Sequence, residues 1–175
     1  MTNNDVRIRP LDIQDADLLA QYGNNKKIWD NLRDYIPHPY ERHHAVEFIS
    51  MTQGKDPKTD FAILFENQFV GVIGFNIKDD VYSHSAEIGY WLGEEFWGKG
   101  ITSAAVSAVV KLAFEIVEVK RLYTSVFEFN HASCKVLEKA GFIKEGVGIK
   151  SVVKNGVYIN EIRYGLLNPN FFPGT

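Results

Sequence analysis

The chain has 175 residues, of which 45% are hydrophobic and 23% charged, which is enough for one globular domain with a real core. Its 19 Lys and Arg residues face 22 Asp and Glu residues, and the net charge of −3 argues against a general nucleic-acid binder. The single cysteine excludes an internal disulfide, no Cys/His cluster has metal-ligand spacing, and no apolar run reaches the roughly 18 residues of a membrane span. The first ten residues lack the apolar core of a signal peptide, so we expect a cytoplasmic protein without a metal or a membrane partner.

The first third of the sequence predicts one strand and two helices. Apolar and charged residues alternate over 6–9, which predicts a half-buried strand that Pro10 ends. An amphipathic pattern predicts a helix over 15–22. The aromatic segment 34–40 contains two prolines, which disfavour helix, and a second helix is expected over about 41–52.

The middle of the chain predicts three strands and a helix. Strands over 61–65 and 70–77, separated by Glu66-Asn67-Gln68, are typical of a hairpin. A further strand is predicted over Ser85–Leu92. The helix that follows, over 103–114, is rich in Ala and Ser, and such small side chains allow close packing on a sheet.

The last third predicts a strand over Arg121–Phe127, a helix over 133–140 stopped by Gly141, and a hairpin. The hairpin joins strands 142–153 and Val157–Leu167 through the favoured turn pair Asn-Gly. The order β, α, α, β, β, β, α, β, α, β, β predicts a mixed α/β fold in a single domain over 1–175.

Two glycines lie between a predicted strand and a predicted helix, where residues 96–103 read Phe-Trp-Gly-Lys-Gly-Ile-Thr-Ser. Glycines at such a turn leave backbone N–H groups exposed at the start of the helix, and these groups together with the helix dipole favour an anion, most often a phosphate. Lys99 adds a positive charge between the two glycines. The segment therefore predicts a ligand that carries phosphate.

Two common phosphate motifs match this turn incompletely. The run 93–99 fits the P-loop pattern G-x-x-x-x-G-K, but Gly100 follows where a magnesium-binding hydroxyl is required, and two glutamates lie inside the loop. Gly98 and Gly100 supply two glycines of a dinucleotide-binding turn, but Ser103 stands at the third position and a strand meander precedes the turn.

A third interpretation comes from a family resemblance that covers essentially the whole chain. Residues 90–93 and 96–102 resemble the acyl-CoA motif of the GCN5-related N-acetyltransferases, above all the branch that acetylates ribosomal-protein N-termini. Residues 130–142 resemble the family's second motif, N-x-x-S followed by E-K-x-G-F. The resemblance implies a mostly antiparallel, partly parallel sheet of about seven strands with about four helices, and acetyl-CoA as co-substrate. It implies the following cofactor-binding residues: Ile88, Gly89, Tyr90, Trp91, Leu92, Trp97, Gly98, Lys99, Gly100, Ile101, Thr102, Asn130 and Ser133.

Three positions differ from, or vary within, the family pattern. The general motif is R/Q-x-x-G-x-G/A, whereas Trp97 occupies its first position, as is usual in the ribosomal-protein branch, and Thr102 its last. The Thr102 hydroxyl is a candidate N-cap for the helix. Leu137 matches the position of a family tyrosine that returns a proton to the departing thiolate, so that role needs another residue.

Glu87 and Ser133 are the candidate catalytic residues. Glu87 accepts the proton of the attacking amine in one interpretation, and is an exposed or ion-paired strand residue in the other. Ser133 protonates the thiolate in one interpretation, and caps its helix in the other. Gly89 predicts a bulge that separates its strand from a neighbour and exposes backbone groups to the coenzyme. Asn130 resembles the family asparagine that binds the coenzyme, with a simple turn residue as the alternative.

The acceptor is the least determined part of the prediction. By resemblance it binds near residues 27–40 and 146–158, whose mixed charges suit a protein N-terminus, a polyamine, an aminoglycoside or another small amine. The predicted activity is acetyl transfer from acetyl-CoA to a primary amine by direct attack in a ternary complex. The alternative is an acyl-CoA-binding or sensor module without transfer activity. Monomer and homodimer are both left open.

Overall fold

The computed structural model describes residues 5–172 of the chain. Within that part the backbone forms seven strands and five α-helices. The strands are β1 (Val6–Pro10), β2 (Asp60–Phe65), β3 (Gln68–Ile77), β4 (Ser85–Leu92), β5 (Arg121–Phe127), β6 (Ile143–Lys154) and β7 (Val157–Leu167). The helices are α1 (Ala16–Gly23), α2 (Lys26–Trp29), α3 (Arg42–Gln53), α4 (Ile101–Glu115) and α5 (His131–Lys139).

The strands form one mixed sheet in the order β1-β2-β3-β4-β5-β7-β6. The pairs β1–β2, β2–β3, β5–β7 and β6–β7 are antiparallel, and β4–β5 is parallel. A parallel pair needs a long crossover, which α4 supplies here. The predicted fold class, a mostly antiparallel and partly parallel sheet with flanking helices, is confirmed.

The described residues form two compact units, each defined by the contacts among its own residues. The first contains the described residues up to Gly74 together with Tyr90–Ala108. The second contains Phe75–Gly89 and the described residues from Val109 onward. The elements β3, β4 and α4 each contribute residues to both units. A single domain over residues 1–175 stays a prediction.

In the first unit, apolar side chains of α1 and α3 pack against those of the strands. Leu19 on α1 and Ile49 on α3 are fully buried, and they share a cluster with Phe69 on β3. Asp15 lies immediately before α1 and is bonded to β1, because its carboxylate accepts two hydrogen bonds from Arg9 at 2.6 and 2.7 Å. This charge-assisted pair satisfies an aspartate that is buried in the fold.

In the second unit, Leu137 on α5 is fully buried, and the Tyr164 hydroxyl of β7 donates to Glu138 of α5 at 2.9 Å. Gly141 ends α5 with a φ of +89°, the left-handed conformation that the sequence predicted at this position. Asn155 and Gly156 both have positive φ, as the two-residue hairpin turn between β6 and β7 requires.

The structure corrects four details of the sequence prediction. The helix predicted over 103–114 begins two residues earlier, at Ile101, and the one predicted from Ser133 begins at His131. The short helix α2 was not predicted. The turn between β2 and β3 has two residues, Glu66 and Asn67, both with positive φ, rather than three. None of the helices within residues 5–172 combines the length and apolar character needed to cross a membrane.

Candidate active site

The glycine turn precedes α4 in the first unit. Gly98 and Gly100 have φ values of +75° and +77°, which L side chains rarely adopt, and a side chain added at either would meet no atom within 4 Å. The Gly100 carbonyl accepts the first helical hydrogen bond, from Ala104 N at 3.2 Å. The N–H groups of Ile101, Thr102 and Ser103 therefore precede the repeating helical bonds, as an anion-binding helix start requires. Thr102 is the second helical residue, so its prediction as an N-cap is wrong.

Side chains on both sides of the turn fix its path. Trp97 is 45% exposed, yet its indole Nε1 donates to the Leu92 carbonyl at 2.8 Å and ties the turn to the end of β4. Phe96 is buried and packs edge-on against Tyr22, with ring centroids 5.6 Å apart. The Lys99 ammonium lies 5.3 Å from the Phe96 ring centroid, which keeps its positive charge beside the turn.

A polar network joins the residues before the turn to the start of α2. Glu94 accepts hydrogen bonds from Lys27 and, at 2.8 Å, from Asn25 Nδ2. Asn25 also caps α2, because its Oδ1 accepts from Lys27 N at 2.8 Å. The hydrogen bonds from Lys27 and Asn25 lower the pKa of Glu94 below its ordinary value. These contacts connect the predicted acceptor segment to the residues that lead into the turn.

The end of β4 lies unusually close to β3. A side chain at Gly71 would lie 2.3 Å from the Trp91 carbonyl oxygen and 3.0 Å from Leu92 Cα. Only glycine allows this approach without a shift of the backbone. Gly71 therefore sets the position of the segment to which Trp97 is tied.

In the second unit, Glu87 on β4 forms an ion pair. Lys78 Nζ donates to Glu87 Oε2 at 2.8 Å, and the two side chains are only 26% and 17% exposed. The hydrogen bond to Glu87 and the charge of its carboxylate raise the pKa of Lys78, although burial lowers it. The ion-paired state that the sequence left as an alternative for Glu87 is present, with Lys78 as the partner.

Tyr123 on β5 completes this cluster. It stands opposite Glu87 in the parallel register, and two cations lie near its ring, Lys78 Nζ at 5.8 Å and Arg121 Cζ at 5.7 Å from the centroid. Arg121 pairs with Glu145 at 2.6 Å, not with Glu87. Two ion pairs thus flank one aromatic ring, and they engage different carboxylates.

Gly89 lies where the described pairing of β4 with β5 has ended. That pairing runs from Ser85 and Arg121 to Glu87 and Tyr123. Gly89 is exposed, and a side chain added there would meet no atom within 4 Å. This open space is consistent with the predicted access of a ligand to the backbone, while the bulge itself stays a prediction.

Asn130 and Ser133 meet at the start of α5. Asn130 is the N-cap, since its Oδ1 accepts from Ser133 N at 3.1 Å. The capping role considered for Ser133 is therefore wrong, because Ser133 is the third helical residue and its N–H is the group that is capped. The cap uses Oδ1 of Asn130 and not its Nδ2 donors. Leu137 is fully buried, and its hydrocarbon side chain has no acidic group that could protonate the thiolate.

Within each unit the structure brings part of the predicted site together. In the first unit, the end of β4 and the glycine turn are joined by the bond from Trp97 to Leu92. In the second unit, Asn130 meets Ser133, and Glu87 meets two residues that were not predicted, Lys78 and Tyr123. The Lys78 partner could have been inferred from the sequence by pairing the end of β3 with the start of β4. The Lys78 N–H donates to the Ser85 carbonyl at 2.9 Å, so the two residues are opposite each other.

The residues of the turn fit the pyrophosphate of coenzyme A. The two left-handed glycines leave open space at the start of α4, Lys99 supplies positive charge, and residues 97–100 are all exposed. Gly100 stands where a P-loop has its magnesium-binding hydroxyl, and Ser103 stands where a dinucleotide turn has its third glycine. The chemistry of the turn thus agrees with the third interpretation of the sequence.

Comparisons with known proteins give the family. The sequence model described as the acetyltransferase (GNAT) domain matches residues 5–143. The chain is 32% identical to a probable N-acetyltransferase, YjcK, of Bacillus subtilis, over 94% of this chain and 95% of that protein. It is 29% identical to a putative ribosomal N-acetyltransferase, YdaF, of the same organism, over 94% and 92%.

A solved structure shows the same fold. RimJ of Mycobacterium smegmatis, determined in complex with a CoA-disulfide, superposes with a TM-score of 0.83 at 21% identity and covers 97% of this chain and 85% of its own. The family match spans most of the chain and includes the glycine turn and α5. The chain therefore belongs to the GNAT family of acetyltransferases and is an N-acetyltransferase.

Proposed function

We propose that this enzyme transfers the acetyl group of acetyl-CoA to a primary amine by direct attack in a ternary complex. The observation that carries the proposal is the exposed glycine turn, where Gly98 and Gly100 hold left-handed conformations at the start of α4. The turn is suited to the pyrophosphate of the co-substrate, which supplies an activated acetyl thioester when bound. The relationship to a putative ribosomal N-acetyltransferase supports a protein N-terminus as the acceptor, with a small amine as the alternative.

Glu87 is the proposed proton acceptor. An amine attacks only in its neutral form, yet an α-amino group has a pKa of about 8 and a lysine-type amine about 10.4. The Glu87 carboxylate is half-buried on β4 and is held in place by Lys78. We infer that it takes the proton of the amine, directly or through a water molecule.

Asn130 and Ser133 are proposed to serve the coenzyme. The Nδ2 donors of Asn130 are not used by its capping bond, and they suit a carbonyl oxygen of the coenzyme arm. The Ser133 hydroxyl is the proposed proton donor to the departing thiolate, and it regains a proton from solvent water. Gly89, whose surroundings are open, lets the backbone of β4 approach the same arm.

A module that binds acyl-CoA without transferring it is the alternative function. It needs the glycine turn but not a proton acceptor, so Glu87 separates the two hypotheses. A cytoplasmic location and the absence of a resident metal stay predictions, and the choice between monomer and homodimer stays open.

The test is an acceptor screen that follows thiol release from acetyl-CoA. The panel holds peptides with the sequences of ribosomal-protein N-termini, polyamines and aminoglycosides. Glu87→Gln should leave acetyl-CoA affinity nearly unchanged and lower turnover roughly 100-fold or more. The matched control is Glu145→Gln, which also removes an ion-paired carboxylate and should keep full turnover. Unchanged turnover in Glu87→Gln removes Glu87 from the mechanism, and acetyl-CoA binding without thiol release for any amine favours the binding module.

A further inference from the structure

Lys78 is a half-buried cation beside the proposed proton acceptor, and no step of the proposed reaction moves a proton or an acetyl group through it. Its backbone is fixed at the end of β3, where its N–H donates to the Ser85 carbonyl at 2.9 Å. Its ammonium lies 2.8 Å from Glu87 Oε2. Both side chains are mostly removed from solvent, so screening weakens this pair less than it weakens an exposed one.

The ion pair changes which amines the site attracts. A lone carboxylate of low exposure attracts any ammonium group, and attracts a polyamine most strongly because a polyamine carries several positive charges. Lys78 and Glu87 together carry no net charge. The second cation near the Tyr123 ring, Arg121, is balanced by Glu145, so this second ion pair adds no net charge beside Glu87.

The reaction itself also discriminates among amines. At pH 7, about a tenth of an α-amine with a pKa of about 8 is neutral, against about 0.04% of an amine with a pKa of about 10.4. The Lys78 cation beside Glu87 weakens the attraction of a polycation to this carboxylate and so leaves the advantage of the α-amine in force. Removal of Lys78 would increase that attraction and offset the advantage by stronger binding of the polyamine.

We propose that Lys78 is a specificity-determining residue that, by pairing with Glu87, selects acceptors with an α-amino group over polyamines. This inference rests on the proposed acetyl transfer with Glu87 facing the acceptor amine. It assigns Lys78 no contact with the reacting atoms. Its effect is on the ratio of acceptors rather than on the overall rate.

The first experiment compares kcat/KM for a lysine-free peptide with a free α-amine and for spermidine. Wild type and Lys78→Arg should both prefer the peptide, because both keep the cation. Lys78→Met should shift the ratio toward spermidine by about tenfold or more, with Lys78→Gln as a second variant in case the first folds poorly. An unchanged ratio in the folded variants overturns the inference.

The matched control is Arg121→Met. Arg121 lies as close to the Tyr123 ring as Lys78 does, but it pairs with Glu145. Its removal should leave the acceptor ratio unchanged. A shift as large as that of Lys78→Met would mean that general charge, and not the pairing with Glu87, sets the preference, which would also overturn the inference.

A binding measurement tests Lys78 without any turnover. Calorimetry of spermidine should show about tenfold tighter binding to Lys78→Met than to wild type, and the double variant with Glu87→Gln should return to the wild-type affinity. If wild type releases no thiol with any amine of the panel, the proposed function fails, and this binding cycle alone then decides the role of Lys78. Equal spermidine affinity in wild type, Lys78→Met and the double variant overturns the role.

Discussion

Two glycines of neighbouring strands show how one residue type serves different needs. Gly71 is required by the fold, since its missing side chain makes room for the Trp91 carbonyl of β4. Gly89 has open space around it, so the fold does not require it. A glycine that packing does not need, on the strand before the glycine turn, is better explained by the approach of a ligand.

We expect the alanine variants of these glycines to separate stability from binding. Gly71→Ala places Cβ 2.3 Å from a backbone oxygen and should cost about 2 kcal/mol or more of unfolding free energy. Gly89→Ala should leave the stability unchanged or raise it by about 0.5 kcal/mol, and should weaken acetyl-CoA binding. Urea unfolding and calorimetry measure the two quantities. Tight acetyl-CoA binding by Gly89→Ala would place the coenzyme arm elsewhere.

At the scale of elements, the start of α4 combines a helix terminus with two left-handed residues. The N–H groups of Ile101, Thr102 and Ser103 lie before the first repeating helical hydrogen bond, which runs from Ala104 N to the Gly100 carbonyl. The chain enters this first turn through the left-handed Gly98 and Gly100. Trp97 and Phe96 hold the approach through contacts with β4 and α1. The geometry therefore belongs to the junction of strand, turn and helix and not to any one residue.

The glycine turn has a matched control elsewhere in the chain. Gly100 and Gly156 have φ values of +77° and +76°, and an added side chain would meet no atom within 4 Å at either. Alanine should therefore cost each about 1–2 kcal/mol of backbone strain. Only Gly100→Ala should weaken acetyl-CoA binding as well. Equal acetyl-CoA affinities of the two variants, measured by calorimetry, would mean that the pyrophosphate of the coenzyme binds elsewhere.

At the scale of the whole molecule, folding moves several titrations to alkaline pH. Burial, and then the charge of Glu47, raise the pKa of Tyr40 from 10.0 to about 12. Tyr40 packs against the buried apolar cluster of the first unit that contains Leu19, Ile49 and Phe69, and its ring lies beside Gly23. Because its folded pKa lies above the unfolded value, its contribution to stability is complete below pH 10 and is lost as the pH rises through about 12.

Tyr40→Phe should remove this part of the alkaline loss. Between pH 9 and pH 11.5 the unfolding free energy of the variant should fall by up to about 2 kcal/mol less than that of wild type. Urea unfolding at the two pH values measures the difference. A decline remains in the variant, because the pKa values of Lys78 and Tyr22 are raised as well. Identical declines in the two proteins would contradict the prediction.

Local signals in the sequence were sufficient for most elements. Strand β4 and strand β5 have the predicted bounds, and Gly141 and the Asn-Gly turn stop their elements as predicted. Helix α2 was missed because its four residues are too few to show a periodic pattern. The early start of α4 was missed because β-branched Ile101 and Thr102 follow directly on two glycines.

By itself, the sequence determined the order of all strands and helices except α2, the glycine turn and the family, since each depends on residues that are neighbours along the chain. Only the tertiary structure decided which partner each candidate residue has. In the folded chain Glu87 pairs with Lys78, Asn130 accepts the hydrogen bond of the Ser133 N–H as the N-cap of α5, and Gly71 lies beside the end of β4. These relations depend on strand register and helix phase, which fix distances between residues far apart in sequence and which local patterns do not encode.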